Sequence, residues 1–90
     1  MKDNIRLPID LGLAIKAHRQ AAGLKTTDIA AHAGRSRNVL NRLEKGQDVT
    51  VASLMDLLRA MGLSLRLESA GMPTLEEMQQ RFGRDDDDAP

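Results

Sequence analysis

Residues 24–46 read LKTTDIAAHAGRSRNVLNRLEKG, and the fold turns on this stretch. Ile29, Ala30 and Ala33 recur at helical spacing, so a helix of about two turns is expected from a Thr26 or Thr27 cap to a left-handed stop at Gly34. Ser36 can cap a second short helix that runs to Lys45 and closes at Gly46. The two meet in the tight turn Ala33-Gly34-Arg35-Ser36, with the small Ala30 where they must approach closely. That is the layout of a helix-turn-helix. On a wheel of about 100° per residue, Leu40 and Leu43 share one side of the second helix. Asn38, Asn41, Arg42 and Lys45 lie roughly opposite, with Arg37 on the flank.

That outward face holds no acid, whereas an ordinary solvated face mixes Glu with Lys. Its side chains suit a major groove. Arg can donate two hydrogen bonds to guanine O6 and N7, and Asn can pair in the same two-point way with adenine. The Ser36 hydroxyl and the free amides of the helix N-terminus suit a phosphate oxygen.

Outward from this core, Leu11, Ile15, Ala22 and Leu24 predict a first helix over about residues 10–22, capped by Asp10 after Pro8 and ended by Gly23. Thr50 caps a fourth, with Leu54, Leu57, Leu58 and Met61 inward and Gly62 as its stop. The period then changes. Leu63, Leu65 and Leu67 alternate with Ser64, Arg66 and Glu68, a pattern of period two that predicts a strand. A lone strand has no sheet to join, and the simplest mate is the same strand of a second copy. The alternatives are a further short helix or an extended tail. Thr74 and Glu77 form a capping box for a short helix carrying Leu75, Met78 and Phe82 on one face. That face either orders on a partner or packs back on the fourth helix. Asp85–Asp88 close an acidic tail expected to be disordered. The expected division is an N-terminal arm (1–9), a DNA-binding domain (10–62), a dimerisation strand (63–69) and a C-terminal helix with tail (70–90).

Ninety residues make one small domain. Thirteen basic and thirteen acidic residues cancel, but the zero hides a partition. Lys16, Arg19, Lys25, Arg35, Arg37, Arg42 and Lys45 face only Asp28 and Glu44 within residues 16–45, while acids dominate from residue 46 on. A polyanion would sit on the basic half. The absence of cysteine excludes disulfides, thiolate zinc sites and a Cys nucleophile. With Phe82 the sole aromatic residue, no base-stacking platform can be built. No apolar run approaches the ~18 residues of a membrane span, and no leader pattern opens the chain. His18 and His32 fall on different helices without converging ligands, so no metal is expected. No catalytic triad or phosphate loop is present, the five Met residues read as core filler, and neither enzyme activity nor a cofactor is expected.

The run from Gly23 to Arg37, continued by Arg42-Leu43-Glu44-Lys45-Gly46, resembles the phage repressor/Cro (XRE) helix-turn-helix family. Ser53–Leu67 is similar to the fourth helix and strand of HipB-like antitoxins, and together the likeness spans roughly residues 10–68. The resemblance implies that Arg37, Asn38 and Arg42 face base edges with Asn41 close behind, and that Thr26, Lys25, Ser36 and Lys45 touch phosphates. It implies a structural ion pair between Arg19 and Glu44, for which Glu44, the only acid in its helix, has its own motive. Thr26 stands where the family often has the longer Gln, and Arg35 where a small apolar residue is common. Arg35 is either an added phosphate contact or a solvated side chain.

The expected fold is thus all-α, a repressor-like domain of four to five helices with one C-terminal β-strand pairing across a dimer through Leu63, Leu65 and Leu67. The expected function is sequence-specific binding of double-stranded DNA at a pseudo-palindromic operator. The protein would act as a cytoplasmic, nucleoid-associated bacterial homodimer that represses transcription. Its HipB-like part points to an antitoxin that autoregulates its operon and binds a HipA-like toxin encoded beside it, with no membrane involved. The alternatives are a stand-alone phage or mobile-element regulator and a protein-interaction adaptor whose basic face binds an acidic protein.

Overall fold

The structure, a computed structural model, describes residues 4–70. Within them the chain forms α1 (Pro8–Ala21), α2 (Thr26–Ala33), α3 (Arg37–Glu44) and α4 (Val51–Ala60), with no strand among the described residues. The helix and tail expected beyond residue 70 lie outside them, as does any test of their order.

Two starts differ from expectation. Pro8 is the first residue of α1, where its missing N–H has no intrahelical partner to lose, so the helix begins inside the expected arm. Leu7 takes the extended cap conformation, and Asp10, expected as the cap, stands in the first turn. Its carboxylate accepts hydrogen bonds from the backbone N–H groups of Leu7 (3.0 Å) and Arg6 (3.2 Å). In α2 the cap is Lys25 and not a threonine: the Ile29 amide donates to the Lys25 carbonyl, which draws Thr26 into the helix as its first residue. The other two caps are as the sequence indicates. Ser36 Oγ accepts from the Val39 amide at 3.3 Å. Thr50 Oγ1 accepts from the Ser53 amide at 3.0 Å and donates to the buried Ser53 hydroxyl at 2.8 Å.

All four helices end alike, each on a glycine of positive φ whose successor's amide turns back to a carbonyl five residues earlier. These pairs are Leu24 to Arg19, Arg35 to Ala30, Gln47 to Arg42 and Leu63 to Leu58. At Gly46 the requirement is double. Its φ is +77°, and a Cβ there would lie 2.7 Å from Ile9 Cα.

The layers pack α2 on α4 and α1 on α3, and α3 touches both other short helices. Ile15, Ile29, Leu40, Leu43, Leu57, Leu58 and Met61 form the core, in which Leu40 and Leu57 are wholly buried. Each such side chain contributes about 1.5–3 kcal/mol by leaving water. Ala22, expected inward, is exposed because it falls on the cap after α1. Leu63 is half-buried against the core, whereas Leu65 and Leu67 are 48% and 96% exposed.

The contact of α1 with α3 depends on Gly12. A Cβ at that position would stand 2.5 Å from the Leu43 carbonyl oxygen and 2.6 Å from that of Glu44. Backbone must therefore move to admit any side chain. Gly12→Ala is expected to destabilise the fold by about 1–3 kcal/mol. Thermal unfolding followed by circular dichroism should show a midpoint lower by at least about 4 °C. An unchanged midpoint would mean that α1 and α3 do not approach this closely.

Candidate nucleic-acid interface

The candidate face is the outer side of α3, and the core fixes its direction. Leu40 and Leu43 are buried, and Arg37, Asn38, Asn41, Arg42 and Lys45 are exposed. Eight residues make only about two turns, too few to hold a helix alone, so this amphipathic division orients the helix. Lys45 is the helix's C-cap residue, one place beyond Glu44.

Glu44, the one acid of α3, does not reach that face. It is 9% exposed, and the Arg19 guanidinium on α1 donates to it twice, Nε to Oε2 at 2.7 Å and Nη2 to Oε1 at 2.9 Å. Such a two-point contact fixes orientation as well as distance. The Glu44 hydrogen bond pushes the Arg19 pKa up, with burial working in the opposite direction. The ion pair pins α3 to α1 at the end far from its Ser36 cap.

The other expected residues stand at the heads of α2 and α3. Ser36 is exposed, as is Lys25 at the head of α2, and Thr26 beside it is half-buried. Of the two places expected for Arg35, the freely solvated one is not what the structure shows, since the side chain is paired. Its guanidinium donates from Nε (3.1 Å) and Nη2 (2.8 Å) to Oδ2 of Asp56 on α4, while Arg59 donates to Oδ1 of the same carboxylate. Sequence reasoning missed Asp56 and Arg59. Their spacing of three on one helix signals their own pairing, but Arg35 lies 21 residues earlier and only the packing of α2 on α4 brings it in.

His18 and His32 are both exposed, and no group of three potential metal ligands gathers among the described residues. No helix there is long and apolar enough to cross a membrane.

Two short helices joined by a tight glycine turn, the second carrying an acid-free polar face, define a helix-turn-helix DNA-binding regulator. A family model described as "Helix-turn-helix domain" matches residues 10–70, and the chain belongs to that family. No curated protein matches it. Among solved structures it is similar to a chain of the "HipB-O4 20mer complex", with a TM-score of 0.73, 24% identity and coverage of 78% of this chain and 100% of that one. A chain of the "HipA-HipB-O2-O3 complex" gives the same values. The restriction-modification controller protein C.AhdI from Aeromonas hydrophila is similar at a TM-score of 0.58 and 24% identity, covering 63% of this chain and 88% of that one.

The Asp56 cluster generates a test by titration. The hydrogen bond from Arg35 is the main cause holding the Asp56 carboxyl below the usual carboxylate range; partial desolvation opposes it and Arg59 assists. His32 lines the same cleft, with Ala33, Asp56, Arg59 and Ala60. Since the folded pKa is lowered, the stabilisation is present above the ordinary Asp value and is lost as pH falls through the lowered one. Arg35→Ala is expected to move the Asp56 midpoint up toward the ordinary value, as read by carboxyl NMR titration. A midpoint that stays put would assign the shift to Arg59 alone.

Proposed function

We propose that the protein is a sequence-specific repressor that binds a pseudo-palindromic operator as a homodimer. The observation that carries this reading is the outer face of α3, where Arg37, Asn38, Asn41 and Arg42 are all exposed on a helix whose single acid is buried. In this reading those four meet base edges, and Lys25, Thr26, Ser36 and Lys45 hold the backbone. One such module is rarely selective alone. Two related by a twofold axis would set their α3 helices about 34–36 Å apart, one turn of duplex. The exposed Leu65 and Leu67, next to Leu63, supply an apolar edge for pairing two copies.

Binding sites selected from a random duplex pool supply the operator. Arg37→Ala or Asn38→Ala is expected to cost about 1–3 kcal/mol on that operator and little on random DNA. Lys45→Ala should weaken both equally and flatten the salt slope by about one unit. Equal losses on both DNAs for all three variants would remove the base-reading roles.

Dimerisation is tested at Leu65. Leu65→Asp places like charges opposite each other and desolvates both, so the mass by light scattering should fall to a monomer. Operator affinity should fall by orders of magnitude with it. An unchanged dimer mass would exclude residues 63–67 as the interface.

We further propose an antitoxin role, with a HipA-like toxin from the adjacent reading frame as partner. The supports are the likeness to a HipB chain solved with HipA and the apolar set Leu75, Met78 and Phe82. A chain ended at Ser69 should keep its dimer and operator, bind DNA somewhat more tightly, and lose co-purification with the neighbouring gene product. Retained co-purification would take the C-terminal segment out of that role. The likeness to a restriction-modification controller favours the second reading, a regulator with no toxin, and full-length protein that captures nothing from its neighbour would select it.

A further inference from the structure

The cations of the two short helices and the turn between them differ in how they are held. Lys25, Arg37, Arg42 and Lys45 are exposed and have no ion pair among the described residues. Arg35 is tied down. Its Nε and Nη2 both reach Oδ2 of Asp56, and the two side chains are only 34% and 24% exposed. Yet Arg35 directly precedes Ser36, the cap of α3, and a released arginine there would lie within a side chain's reach of any anion at that helix end.

We infer that Asp56 sets how strongly the protein binds DNA of any sequence, by holding the Arg35 guanidinium on α4 and away from phosphate. The inference rests on the DNA-binding role of α3. A phosphate that took Arg35 would have to break a charge-assisted two-point contact to form a similar one, so the exchange gains little. Phosphate contacts carry no sequence information and dominate binding to random DNA. Keeping one arginine out of them lowers the background against which Arg37, Asn38, Asn41 and Arg42 discriminate. Asp56 touches no base in this account. It is a positioning residue that governs specificity through the charge it withholds.

The test is binding to a random-sequence duplex by fluorescence anisotropy between 50 and 200 mM salt. Asp56→Asn is expected to steepen the log–log salt slope by about 0.9, which over that fourfold range means about 3.5-fold more affinity lost than for the wild type. Adding Arg35→Gln should restore the wild-type slope, while adding Arg59→Gln, which restores the same net charge, should not. Arg35→Gln alone should leave the slope unchanged, a requirement that stands even if Asp56→Asn does not fold. A slope flattened by Arg35→Gln alone would show that Arg35 already touches phosphate and overturn the inference. So would equal reversal by both double variants, which would reduce the effect to net charge, or an unchanged slope in folded Asp56→Asn. Failure of the wild type to bind any duplex would overturn the DNA-binding role as well, and the wild-type titration therefore separates the two.

Discussion

The contact of Glu44 with Arg19 is the constraint on which the working face depends. A carboxylate at the C-terminal turn of a helix meets partial negative charge from the last carbonyls, and burial removes the water that would offset it. Arg19 supplies both the opposite charge and a matching pair of donors, 2.7 and 2.9 Å away. Removing one member of such a pair typically costs about 3–5 kcal/mol, because the other stays buried and uncompensated. In a domain this small that is a large share of total stability. The pair therefore does two things: it anchors a two-turn helix to the longest of the described helices, and it keeps the only acid of α3 off the outer surface.

The Gly12 contact completes this arrangement. The ion pair draws α3 toward α1, and the missing side chain lets the Leu43 and Glu44 carbonyls come down onto α1. Leu40 and Leu43 fill the space on the inner side of the same helix. Electrostatics, backbone approach and apolar packing thus fix one rotation of α3 about its axis. The polar residues at 37, 38, 41 and 42 point outward as a consequence of what points inward.

Much of this was legible in the sequence because the signals are local. A glycine after each apolar repeat marks a chain reversal, and Ser36 and Thr50 sit where a hydroxyl can accept from an amide three residues on. Reading the start of α1 at Asp10 failed because two local rules compete there. Proline prefers the first helical position, and an acid in the first turn can serve the amides from inside the helix. Thr26 failed for a similar reason, since a backbone carbonyl at Lys25 already took the amide that a threonine cap would have bound. The Arg35–Asp56 pair was not legible. Charges 21 residues apart meet only through the packing of α2 on α4, and a count of basic and acidic halves put the two residues on opposite sides. The alternation at residues 63–67 is equally beyond a single chain, because a strand is defined by its mate.

One further feature concerns the ends of the domain. Asn4, Ile5 and Arg6 share the wall of one groove with residues 66–70, so the chain enters and leaves the domain at the same place. The fold is in effect a closed ring with a narrow gap. A short peptide could bridge residues 4 and 70, and the chain could be opened instead in the loop at 47–49, between α3 and α4. Such a circular permutant of residues 4–70 would keep the four described helices and their glycine reversals intact. Among those residues the order in which the helices leave the ribosome would change and their packing would not.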